Sequence, residues 1–150
     1  MDFKRLVTGT LVGGITLYVL GYLIFDVGVA SFYAANAGAA TGVVRDPQLL
    51  WAVLLGTFAY AALITLAIGS RSGTATAGSG AQVGAVVGFL LWVTTDFILY
   101  GITNISNLTR TVVDPLLELV RAGIAGGIVA VTLAKMQGAG RHETRRAARV

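Results

Sequence analysis

Apolar residues in this chain come in four long runs, separated by short stretches rich in Gly, Ser, Thr, Asn and charge. The runs cover about 6–29, 48–68, 82–102 and 115–136. Roughly 20 apolar residues carry an α-helix across the hydrocarbon of a bilayer, so each run predicts a transmembrane helix. Ser31–Val44, rich in Ala and Gly, predicts a loop or interfacial stretch, Gly69–Gly80 is flexible by composition, and Thr103–Val113 reads as a polar loop. Asp46-Pro47 and Asp114-Pro115 each predict an N-cap followed by proline at the first helical position. The expected organisation is a four-helix transmembrane domain over 1–137 and a basic tail over 138–150.

The two halves of the chain align. Gly14, Tyr22 and Asp26 match Gly84, Trp92 and Asp96 at identical spacings, and an Asp-Pro pair follows each at nearly the same distance. Each half then runs in, out and back in. The fold class predicted is an all-α membrane protein, its four transmembrane helices built as two parallel helical-hairpin repeats about an axis along the membrane normal.

Composition strengthens the membrane assignment. The chain is 55% hydrophobic and only 12% charged, whereas a soluble domain needs a larger charged surface. Ala35-Asn36-Ala37 resembles a signal-peptidase site. The first run, however, outlasts the ~7–15 residues of a signal-peptide core and contains Tyr18, Tyr22 and Asp26, so it reads as a retained span. There is no Cys, and the single His, His142, lies in the tail. No disulfide, metal site or haem is therefore expected, and no cofactor.

The net charge of +4 follows topology. Lys4, Arg5, Arg71, Lys135, Arg141, Arg145, Arg146 and Arg149 fall on one side of a four-span protein, and only Arg45 and Arg110 on the other. The positive-inside rule predicts a multi-pass protein of the cell membrane with both termini cytoplasmic. The lipid bilayer is the expected partner, together with a second copy or another membrane protein; nucleic acid is not. Asn104-Ile105-Ser106 and Asn107-Leu108-Thr109 have the form of sequons and read as loop polarity.

Candidate chemistry centres on the third run. Gly84, Gly88, Trp92, Asp96 and Tyr100 step by four and fall along one helix face. A carboxylate within a span is costly and points to function. From Gln82 the rise to Asp96 is about 21 Å, some two-thirds of the way across a ~30 Å core. Asp26 falls near the outer boundary, and Glu118 and Arg121 lie one to two turns inside the last helix, so all four share the outer half of the bundle. These residues predict one polar cavity open to the outside, framed by Asp96, Trp92, Tyr100, Asp26, Tyr22, Glu118 and Arg121. Arg121 keeps its charge and is expected to face the bundle interior within reach of both Glu118 and Asp96. Gly84, Gly88, Gly123 and Gly127 are candidate helix-packing positions.

Trp92–Leu108 (WVTTDFILYGITNISNL), with Gly84 and Gly88 before it and Asp114 after it, resembles a segment of small uncharacterised bacterial four-helix membrane proteins. They carry an aromatic–Asp–Asn motif in the third helix. The resemblance runs mainly from Gly84 to Gly127, and this chain has Thr95 where that pattern has Tyr beside the Asp. It implies a fold and no reaction.

Without a nucleophile, metal cluster or intramembrane His, the sequence predicts no enzyme and no catalytic residue. It supports a proton- or cation-linked transporter or channel subunit using Asp96. The alternative is a structural or accessory protein that binds another membrane protein through its glycine faces.

Overall fold

A computed structural model of the chain describes residues 1–71 and 75–147. The described chain is all-helical: α1 Phe3–Gly21, a π-helical segment Tyr22–Gly28, α2 Ala30–Ala35, α3 Leu50–Gly69, α4 Ala77–Ile102 and α5 Leu108–Ala147. Four helices are long and apolar enough to cross a membrane: Phe3–Gly28, Leu50–Gly69, Ala77–Ile102 and Leu108–Gly138. Their outward faces carry large exposed apolar side chains such as Leu11, Ile15, Leu55, Leu66, Val86 and Leu90. In water these would be a liability; against lipid they suit a multi-pass protein.

Two antiparallel pairs make the bundle. α1 packs on α3, α4 packs on α5, and α1 also packs on α5 to join the pairs. The core runs through Leu17, Ile64, Ala122, Ala125, Val129 and Leu133. Met1 lies against Gly69, Arg5 lies beside Gln137, and Lys135 shares a groove with Ala77 and Gly78. The N-terminus, the end of α3, the start of α4 and the far part of α5 therefore gather at one end. The segments 29–49 and 103–107 meet at the other, the loop end, through an antiparallel bridge between Ala37 and Ser106.

Both Asp-Pro expectations are corrected. α3 begins at Leu50, so Asp46-Pro47 belongs to the preceding loop, and no side chain caps that helix. Asp-Pro starts turns as readily as helices, and the local pattern does not separate the two. α5 begins at Leu108, and Pro115 sits inside it. Its first turn is held by Asn107, whose Oδ1 accepts from Arg110 N at 3.0 Å. The sequon asparagine is thus a helix cap, and the true start precedes the expected one by seven residues, about 10 Å of rise. At its other end α5 continues to Ala147, through most of the stretch expected to be a separate tail. Arg149 lies outside the described residues. The first span also departs from a plain α-helix: its last seven residues are π-helical, with Val29 N donating to Ile24 O at 2.8 Å.

Candidate functional site

Two polar centres are stacked along the bundle. The first lies at the loop end. α2 is short, but it is fastened to α5 at several points. The Tyr33 hydroxyl donates to Asp114 Oδ1 at 2.6 Å, and the Arg110 guanidinium stacks over the Tyr33 ring at 4.4 Å. Asn107 Nδ2 donates to Asn36 Oδ1 at 3.0 Å. Burial, and then the bond to Asp114, push the Tyr33 phenol up from its ordinary value. The hydroxyl is therefore a donor throughout the physiological pH range. Behind this clasp is a cavity of about 290 Å³ whose polar lining is Asp96, Asp114, Ser106, Thr111 and Arg110, closed by Val43 and Val44. Asp96 Oδ2 is buried there with no hydrogen-bond partner among the described residues. The neighbouring hydroxyls are committed elsewhere: Thr94 bonds Leu90 O and Thr95 bonds Leu91 O.

The second centre lies near the middle of the spans. Arg121 is 7% exposed and Glu118 is fully buried. Arg121 Nη1 donates to Glu118 Oε2 at 2.9 Å, while Nε and Nη2 both donate to the Leu17 carbonyl, at 3.0 and 2.8 Å. A guanidinium can reach that carbonyl because residue 21 is glycine: a Cβ there would stand 3.0 Å from Nη2. The Phe25 ring, one turn further on, lies 5.5 Å from the guanidinium carbon, within cation–π range. Tyr60 packs on Trp92 with ring centroids 5.3 Å apart and sets its hydroxyl beside the Glu118 carboxylate. The geometry stops short of a formed bond, so Tyr60 Oη and Glu118 Oε1 stand as neighbouring buried polar atoms without partners.

Beside this layer, between the end of the first span and α3, opens a second cavity of about 450 Å³. Arg121 contributes to its wall, and its other polar side chains are Tyr18, Tyr22, Asp26, Gln48 and Thr57.

The seven residues expected in one cavity are therefore divided. Asp96 faces the loop-end cavity; Tyr22, Asp26 and Arg121 line the second; Glu118 is sealed between helices; Trp92 packs on Tyr60; and Tyr100 is exposed. The stripe on α4 fails to stay on one face because four residues overshoot a 3.6-residue turn, a drift of about 40° per step. Gly84 and Gly88 are thus buried against α5 while Tyr100 turns outward. The expected Arg121–Asp96 bond is not made, because Glu118 and Leu17 O take the guanidinium. The earlier start of α5 explains this: it sets Arg121 deeper than Asp96. On α5 Gly84 meets Ala122 and Gly126, while Gly123 and Gly127 approach Ala77, Ala81 and Ala85 of α4 and also line an outer groove.

Sequence reasoning missed Tyr33, Tyr60, Gly21 and the Leu17 carbonyl. Phe32-Tyr33, an aromatic pair within an Ala/Gly-rich loop, was the available signal for the first. A backbone carbonyl recruited by an arginine 104 positions away leaves none. No group of three or more His, Asp or Glu among the described residues is placed to hold a metal ion. Comparison with family models, with curated proteins and with solved structures finds no match for this chain.

Proposed function

We propose that this chain is a proton- or cation-linked subunit of a membrane transporter or channel, with Asp96 as the ion-binding carboxylate. One observation carries the reading. Asp96 Oδ2 is buried and unpartnered in a cavity that also holds the Asp114 carboxylate and the hydroxyls of Ser106 and Thr111. An acid kept for structure alone would be bonded to a neighbouring hydroxyl or carbonyl. An unpaired one beside a second carboxylate suits a group that takes up a proton or a small cation. The test is ion flux in proteoliposomes: wild-type protein moves protons or a monovalent cation, and Asp96→Asn abolishes the flux while the protein stays folded. Absence of flux in the wild type, or flux indifferent to Asp96→Asn, refutes the reading.

The accessory reading is favoured by a different feature. The outer face of α4 and α5 forms an apolar groove of about 970 Å³ floored by Ala81, Ala85, Gly123 and Gly127, a surface suited to a helix of another membrane protein.

Orientation and duplication belong to the same proposal. Lys4, Arg5, Arg71 and Lys135 belong to the end where Met1 meets the end of α3 and the far part of α5, which supports cytoplasmic termini in the cell membrane. A Cys placed at Ser70 should label only from the cytoplasm, and one at Val44 only from outside. The two antiparallel pairs support a duplicated hairpin, although the π-helical segment has no counterpart in α4.

A further inference from the structure

We infer that the cavity beside Arg121 is a second binding site, distinct from the Asp96 cavity, for a small zwitterion carrying an ammonium at one end and a carboxylate or phosphate at the other. The inner wall supplies donors. A guanidinium has five N–H groups, and Arg121 spends three, one on Glu118 and two on Leu17 O. One N–H on each terminal nitrogen remains, on a side chain that is 9% exposed and lines the cavity. Arginine in this setting recognises planar or tetrahedral oxyanions. Its ion pair with Glu118 already balances the charge, so the site offers directed donors rather than an excess of positive charge.

The outer wall supplies the opposite. Asp26 lines the same cavity and has no ion-pair partner among the described residues. A simple anion would be repelled by it. A simple ammonium ion would leave the guanidinium donors unused. A guest with both ends satisfies both walls. Tyr18 and Tyr22 flank the space and bring aromatic rings, a residue type that attracts an ammonium, while Gln48 and Thr57 add neutral hydrogen-bonding groups.

Spacing limits the length of the guest. Gly21 touches the guanidinium, and Asp26 lies five residues further along the span, at most about 7.5 Å of rise. The two charges of the guest are therefore separated by several bonds, as in an ω-amino acid or an ethanolamine-phosphate headgroup, rather than carried on one carbon.

The test is calorimetric titration of the full chain in detergent with 4-aminobutyrate, butyrate and butylammonium. The first should bind, and each singly charged probe should bind at least tenfold more weakly. Asp26→Asn, at an exposed position, should weaken 4-aminobutyrate and strengthen butyrate, so that the two bind alike. Asp96→Asn should leave all three titrations unchanged, which separates this site from the ion-binding proposal. Titration in phosphatidylglycerol nanodiscs, with and without phosphatidylethanolamine, identifies the source of the guest. Competition by phosphatidylethanolamine assigns the site to a headgroup, and its absence to a soluble zwitterion. No binding by any probe, equal binding of butyrate or butylammonium, indifference to Asp26→Asn, or loss of binding in Asp96→Asn would overturn the inference.

Discussion

The two helix pairs use glycine in different ways. In α4 and α5 the backbones themselves touch. A Cβ at Gly84 would run into the carbonyl of Ala122 and the Cα of Gly126, and one at Gly80 into the carbonyl of Gly126. In α1 and α3 the glycines receive side chains: Gly9 accommodates Thr65, Gly13 lies against Ala61 and the side chain of Val129, and the Phe58 ring fills the notch at Gly14. The first contact is between parts that cannot rotate away, and the second is between parts that can. The α4–α5 pair is therefore the stiff half of the molecule, and the α1–α3 pair the adaptable one. The π-helical turn and the second cavity both lie in the adaptable half.

Arg121 joins the halves, since it rises from α5 and ends on a carbonyl of α1. Arg121→Leu should have the largest effect, about 3–5 kcal/mol, because it leaves Glu118 buried and unpaired. Glu118→Leu should cost a similar amount, and the double variant should recover most of the loss. Unfolding in mixed micelles measures all three, and a double variant no better than either single one would show that the loss comes from the severed Leu17 contact and not from an unpaired buried charge.

Gly84→Ala tests the stiff half. With only backbone to push against, it should cost about 3 kcal/mol, the upper end of ordinary overpacking. The same unfolding assay applies, and a cost below that of Gly9→Ala would reverse the assignment of stiff and adaptable pairs.

The clasp at the loop end comes next. Tyr33→Phe removes the donor to Asp114 and should cost about 1.5 kcal/mol, the lower end for a bond to a charged group. Amide exchange in 30–38 should rise while exchange in α4 stays the same. The smallest effect is expected for Gly9→Ala, about 1 kcal/mol. Thr65 must move aside, but its Oγ1 has no partner to lose.

What was legible in the sequence was whatever depends on a run of residues. Four apolar stretches of about 20 residues leave the backbone no way to satisfy its polar groups in lipid except as helices. Their presence and approximate limits could therefore be read directly, as could the small faces of α4 and the cost of placing acids within spans. Helix starts were less legible, because Asp-Pro and Asn-rich stretches serve both caps and turns. That ambiguity hid Asn107 as the start of α5 and moved Glu118 and Arg121 to the wrong depth.

Partners between helices were decided by tertiary structure alone. Which neighbour a buried arginine finds depends on the rotation and depth of two helices at once, and shifting one helix by two turns replaces every partner. Sequence determined that Arg121 must be satisfied inside the bundle. The i,i+3 spacing on one helix already offered Glu118, and only the packing of α1 on α5, with Gly21 leaving room for a guanidinium, decided that the Leu17 carbonyl would take its other donors. Asp96 was left without a partner in its own cavity.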